Sequence, residues 1–166
     1  LDADSVRAAI AGATQVVAYN GYPAARTRFF DLLEQNTVQD VVVLTGDIHS
    51  AWAWDLARDP TDVNAYDPMT GRGAIAVELV TPGITSPGLP EGLADGALGI
   101  VSENRHLKFA DVARRGFLLL EIDHDRVQGA WHHMDEAQII SPEPQTPTVR
   151  ARVEIAQGTP RVVRVE

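Results

Sequence analysis

The chain contains no cysteine. Disulfides, Cys-ligated zinc and iron–sulfur centres are thereby excluded, and any metal would rest on Asp, Glu, His, Asn, Tyr or backbone oxygens. The absence leaves the compartment open, because exported proteins can also lack cysteine. Basic residues are scarce: 14 Lys and Arg stand against 23 Asp and Glu, for a net charge of −9. Nucleic-acid backbones are held by clustered cations, and no basic stripe is visible, so a nucleic-acid partner is not expected. No apolar run is long enough to cross a membrane as a helix, and no signal peptide is visible. There is no initiator methionine either; the chain opens at Leu1-Asp2-Ala3-Asp4. An excised or processed piece of a longer protein is expected, and a missing targeting segment then says nothing about where the parent resides.

What is present suffices for one domain: 166 residues, 45% of them hydrophobic. The most informative stretch runs from Val41 to His49. Val41-Val42-Val43-Leu44-Thr45 reads as a buried strand, and Gly46-Asp47-Ile48-His49 falls at its C-terminal end. In open α/β sheets, ligands bind at that end. In extended backbone, Asp47 and His49 would point to one side. With a glycine alongside to admit close neighbours, a carboxylate and an imidazole there can chelate a metal ion. The competing reading is a solvated Asp and a structural His.

Asp4 or Ser5 could cap a short helix over Val6 to Gly12, and Gln15 to Tyr19 is a short strand candidate. Asn20-Gly21-Tyr22-Pro23 is a turn from which Pro23 to Gln35 reads as an amphipathic helix, with Phe29, Leu32 and Leu33 on one face and Asn36 as its stop. Ala51 to Leu56 suits a strand or short helix, 57–73 a loop, and Ala74 to Val80 a second strand. Thr81 to Asn104 reads as a long Pro- and Gly-containing loop, of a length that is functional or disordered inside a compact domain. Gly116 to Ile122 and Arg126 to Met134 form a hairpin around Asp123-His124-Asp125. Residues 141–148 are extended and proline-rich, Val149 to Ile155 is a half-buried strand, and Val162 to Val165 a final short one.

Four of these segments, in order, resemble the PhoD-like alkaline phosphatase family of the wider calcineurin-like metallophosphoesterases. They are Asn20-Gly21-Tyr22-Pro23-Ala24-Ala25-Arg26, then Val41 to Trp52, then Val77 to Gly88, then Asn104-Arg105-His106-Leu107-Lys108-Phe109 with Arg114-Arg115-Gly116-Phe117. The match covers roughly 17–135. Asn20 stands where the family typically has aspartate, and Arg105 where it typically has proline. The resemblance implies an α/β fold: the C-terminal half of a metallophosphoesterase-like α/β sandwich with a C-terminal antiparallel hairpin. Residues 1–140 would be the C-terminal part of the catalytic domain, and 141–166 an extended segment and terminal strands of the same domain. The family's earlier metal-binding motifs are absent from this chain.

By resemblance the parent is a metal-dependent phosphoric ester hydrolase, in which metal ions supply the positive charge an acidic protein lacks. Asp47 and His49 would be metal ligands, for iron with calcium by family resemblance, or for zinc or manganese. His106 would stand at the rim of the site as the catalytic residue, acting on substrate or leaving group. Asn104, Thr85 and Ser86 would meet a phosphate-ester substrate. Thr81 offers another hydroxyl in that loop, whose competing reading is structural. Glu78 is read as buried, with a structural hydrogen bond to that same loop. Ser50 forms no serine-hydrolase triad. His132 and His133 face apart in a strand. Trp52, Trp54 and Trp131 are read as core aromatics. Lys108, Arg114 and Arg115 are read as surface charges that an anionic substrate could also meet. The fragment is expected to be inactive alone, and to self-associate or pair with the missing N-terminal part. The parent is expected in the periplasm or outside the cell. The alternative is a non-catalytic binding or structural module that keeps the phosphatase fold.

Overall fold

The computed structural model describes residues 22–135 and 146–164. The expected helix over Val6 to Gly12, the strand at Gln15 to Tyr19, and Asn20 lie outside them. The first described element is helix α1, Pro23–Gln35. Pro23 occupies its first turn, where a missing N–H costs nothing, and Asn36 closes it by donating to Leu32 O. Its buried side chains are Phe30 and Leu33, while Leu32 is largely exposed. The apolar face is therefore rotated from the expected one. The cause is Phe30, over whose ring the guanidiniums of Arg26 and Arg58 lie at 4.8 and 5.8 Å.

Two sheets follow. The first has the order β1-β3-β2-β4, from β1 (Val42–Thr45), β2 (Ala51–Ala57), β3 (Ala74–Val80) and β4 (Leu107–Asp111). β1 and β3 are parallel, with Thr45 opposite Val80; β2 runs antiparallel to β3 and to β4. The C-terminal ends of β1, β3 and β4 and the start of β2 thus meet at one end of the sheet. The second sheet is antiparallel, in the order β5-β6-β7-β8, from β5 (Gly116–Ile122), β6 (Arg126–His133), β7 (Thr148–Ala156) and β8 (Val163–Arg164). Gly116 is required at its position: a Cβ there would lie 2.0 Å from His132 O across the β5–β6 ladder.

The stretch 81–104 is not a structureless loop. It contains helix α2, Glu91–Val101. Ala94 and Ala97 are its buried contacts, and glycines at 92, 96 and 99 obscured the helical period.

The first sheet forms the middle layer. Trp52, Trp54, Leu56, Ala76 and Val80 face the helices, packing with Phe30, Leu33, Ala94 and Ala97. Ala51, Ala53, Val77, Leu79 and Phe109 face the second sheet, meeting Trp131, Ala151, Val153 and Ile155. This is period-2 alternation in strands buried on both faces. Trp131 lies 4.8 Å from Phe109, ring to ring, and its indole N–H donates to Val80 O at 2.9 Å. It stitches the two sheets together. The three tryptophans are core residues, as expected.

Candidate functional site

The parallel strand β1 ends at Thr45, and the chain turns at once. Asp47 and His49 both adopt left-handed backbone, with φ of 76° and 57°. The extended geometry expected of this segment is therefore corrected. The chain must reverse from β1 into the antiparallel β2, which begins only two residues after His49. Non-glycine residues in this region carry a conformational cost, tolerated where surrounding structure or function demands it. Gly46 is not what relieves the crowding: a Cβ there would rest 3.4 Å from Thr81 Cγ2, an ordinary contact. Both Asp47 and His49 are exposed. Neither side chain has a hydrogen-bond partner among the described residues.

The loop after β3 arrives at the same end. Thr81 N–H donates to Thr45 O at 2.9 Å, continuing the parallel ladder past the strands. Thr81 Oγ1 accepts from Leu118 N–H at 3.3 Å, which ties the loop to the second sheet. Gly83 O accepts from Gly116 N–H, and Thr85 O accepts from Arg115 Nε at 2.9 Å. Thr85 is exposed and Ser86 half-buried. The fold thus gathers Asp47, His49, Thr85 and Ser86 into two loops at the carboxyl ends of β1 and β3, where open α/β sheets bind ligands.

Asn104 and His106 are not brought there. They precede β4, and His106 O accepts from Asp55 N–H at 2.9 Å, four residues along β2 from its start. At about 3.3 Å per residue, this is roughly 13 Å down the sheet from the Gly46 loop. His106 is also 7% exposed and packs on Trp54, ring centroids 4.9 Å apart. Burial, with the nearby charges of Arg26 and Lys108, lowers its pKa to about 4. A place at the rim of the site is thereby corrected: His106 is a neutral core imidazole near neutral pH. The sequence position was compatible with either role, and burial decides between them.

Two further buried polar groups had weak sequence signals or none. Glu78 is fully buried on the helix-facing side and accepts from Thr45 Oγ1 at 2.7 Å. Burial raises its carboxyl to about 7, against that hydrogen bond. Glu78 is buried and hydrogen-bonded as expected, but its partner is the last residue of β1 and not the loop that follows β3. Asp55, fully buried on the other side, accepts from Tyr66 OH and Val162 N–H at 2.8 Å each, with Lys108 Nζ at 3.1 Å. Burial pushes its carboxyl upward against those three partners. Lys108 is therefore no surface charge; it also donates to Pro68 O at 2.6 Å. Alternation on β2 alone would have shown only that Asp55 faces inward.

Asp47 and His49 offer donors that suit a hard or borderline metal ion, an anionic oxygen and an imidazole nitrogen. Among the described residues, no group of three or more His, Cys, Asp or Glu converges on them. The donor chemistry fits a metal, and the number of donors is that of a partial shell.

A middle parallel–antiparallel sheet, helices on one face, a second sheet on the other and a Gly-Asp-x-His loop at a strand end define a metallophosphoesterase-like α/β sandwich. The model of the PhoD-like phosphatase family matches residues 5–131, and the chain belongs to that family. Alkaline phosphatase D of Bacillus subtilis (strain 168) is 33% identical over 91 residues, which are 55% of this chain and 14% of that protein. The solved structure of PhoD is similar in fold, with a TM-score of 0.68 and 24% identity, over 89% of this chain and 26% of that one. The chain thus spans about a quarter or less of the length of these relatives.

Proposed function

We propose that this chain carries part of the active site of a metal-dependent phosphoric ester hydrolase of the PhoD type. The observation that carries the reading is the exposed Gly46-Asp47-Ile48-His49 loop in strained backbone at the end of a parallel strand. A strained, polar and unsatisfied loop is expensive to keep for stability alone, and such loops cluster at functional positions. Membership of the phosphatase family gives the chemistry: transfer of a phosphoryl group to water.

Asp47 and His49 hold a metal ion in this account, iron with calcium by family resemblance, or zinc or manganese. Bound, the ion neutralises charge on the phosphate and makes water a better nucleophile. The chain's own part is positioning. Thr81 N–H on Thr45 O fixes the second loop against the first. Thr85 and Ser86 lie further along that second loop, and in this account their hydroxyls orient a phosphate-ester oxygen. The remaining ligands would come from outside the described residues. Strand β1 is an edge among the described strands, with Leu44 exposed, and β5 exposes Leu119 and Ile122. Those apolar edges suit pairing with the N-terminal part of the catalytic domain, or self-association in its absence.

The test is hydrolysis of p-nitrophenyl phosphate by the longer parent protein and by the isolated chain, each with and without Asp47→Ala and His49→Ala. Metal-dependent activity in the parent that falls at least about a hundredfold in either variant supports the reading. Full activity in both variants refutes the assignment, and an inactive, metal-free parent favours the non-catalytic module. The isolated chain is expected to be inactive.

A further inference from the structure

The loop that carries Asp47 and His49 has an outer and an inner side. Asp47 and His49 are exposed, whereas Thr45 and Ile48 are half-buried and Ser50 is buried. Ile48 packs against the helix-facing core. At the foot where β1 ends, Thr45 Oγ1 donates to Glu78 Oε1 at 2.7 Å. At the foot where β2 begins, Trp52 Nε1 donates to Ser50 Oγ at 2.7 Å, and that hydroxyl donates to Ile48 O at 3.3 Å. The residue before the Gly46–His49 turn and the residue after it are thus each held by a buried polar side chain.

Of these groups Glu78 is the anomaly. On its own face of β3 the neighbours are Ala76 and Val80, and Trp54 lies opposite it across the β2–β3 ladder, all of them buried. A carboxyl in such surroundings is costly unless its oxygens are bonded. Oε1 has the Thr45 hydroxyl, while Oε2 has no hydrogen bond, and neither has the indole N–H of Trp54. Asp55, equally buried, has three polar partners. A single bond to a hydroxyl does not offset the burial of Glu78, and apolar groups of similar shape at both positions would serve stability as well or better. The one directional contact that this carboxyl makes runs to the residue from which the turn departs.

We propose, resting on the metal reading of that loop, that Glu78 is a positioning residue: through Thr45 Oγ1 it fixes the end of β1, and with it the left-handed turn that presents Asp47 and His49. Glu78 is no ligand in this account and touches neither of them. β3 and the residue after it then hold Thr45 twice, by the Glu78 side chain and by Thr81 N–H on Thr45 O. Ligands kept to a narrow range of orientations bind a metal better than the same ligands on a loose loop. Groups that orient them from outside contribute about ten- to a hundredfold in affinity.

The experiment follows the chain by NMR, first without metal and then during titration with manganese(II). At φ of 76° and 57° the amide proton and Hα of Asp47 and of His49 are nearly eclipsed. Each residue then gives a strong intraresidue NOE, which any move away from the turn weakens. In Thr45→Val/Glu78→Leu both NOEs should fall, and the manganese concentration that half-broadens the His49 imidazole should rise about tenfold. Stability in urea should hold or rise in the same variant, because both partners of the buried bond are now apolar. Glu78→Gln keeps an acceptor for Thr45 and should leave both loop readouts near those of wild type. Tyr66→Phe weakens the Asp55 cluster and should leave them unchanged. Undiminished NOEs in the double variant would overturn the proposal. So would an equal loss in Tyr66→Phe, which would make order in the loop a matter of stability alone. Absence of His49 broadening in wild type would refute the metal reading, and the NOEs would still decide whether Glu78 holds the turn. Should the double variant fail to fold, Thr45→Ala and Thr45→Ser take its place: serine keeps the hydroxyl and should keep the turn, and alanine should lose it.

Discussion

Two polar regions of the first sheet differ in almost every physical respect. Asp55 is fully buried and meets Tyr66, Lys108 and Val162, each within about 3 Å. Asp47 and His49, at the end of the neighbouring strand system, are exposed, lack partners among the described residues, and sit in strained backbone. The first arrangement is how a fold accommodates a charge it has buried. The second gives nothing to the fold and keeps its donors available. Side-chain chemistry alone does not separate the two regions, since both contain an aspartate near a strand. Satisfaction and exposure do.

The comparison can be broken most forcefully at Asp55. Asp55→Ala strips Lys108 of its carboxylate, and a loss of roughly 3–5 kcal/mol is expected, read from urea unfolding. Tyr66→Phe removes a single hydrogen bond from the same group and should cost about 1–2 kcal/mol. A loss below 1 kcal/mol for Asp55→Ala would mean that the buried cluster is not what holds this part of the sheet.

The pH dependence should carry two opposed contributions. His106 is held to about 4, against 6.5 in the unfolded chain. As pH falls from 6.5 to about 4, the unfolded chain takes up a proton that the folded chain refuses, and stability falls. Glu78 is held to about 7, against 4.5 when unfolded. As pH rises from 4.5 to about 7, the unfolded chain releases a proton that the folded chain keeps, and stability again falls. Each shift corresponds to on the order of 3 kcal/mol at most. Subtracting the stability profile of Glu78→Gln from that of wild type should leave a difference that falls with pH across this window, and the same subtraction for His106→Leu one that rises. Flat differences would show that neither group titrates as its burial requires.

The smallest effect is expected at the exposed end and has the opposite sign. Asp47→Gly and His49→Gly each relieve a left-handed φ, which should offset most of glycine's entropic cost or exceed it. Changes within about 1 kcal/mol, neutral or stabilising, are expected in thermal unfolding. A marked loss would mean that these side chains support the fold.

Much of the architecture was legible because strand periodicity and turn residues carried it. Helix α1, β3 and β5 have the bounds read from sequence, and His132 and His133 do face apart, one stacked on Phe117 and the other buried. Helix α2 was illegible because its glycines dilute the apolar period. The position of the Asp47–His49 loop followed from an apolar run ending abruptly, but its backbone did not, since the reversal into β2 depends on where the next strand pairs. His106 was misplaced for a related reason. Proximity in a sequence motif does not say which end of a strand a residue precedes, and only the antiparallel register of β4 on β2 does. The Asp55 cluster joins residues up to 107 positions apart, beyond the reach of local pattern.

The most direct test of the central claim is proton NMR of the five histidines during titration with manganese(II), whose paramagnetism broadens nearby resonances even when binding is weak, as a partial shell requires. The account expects His49 to broaden first and selectively, His106 to stay sharp, and the effect to vanish in Asp47→Ala. Equal broadening of all five, or broadening of His106 without His49, would contradict it.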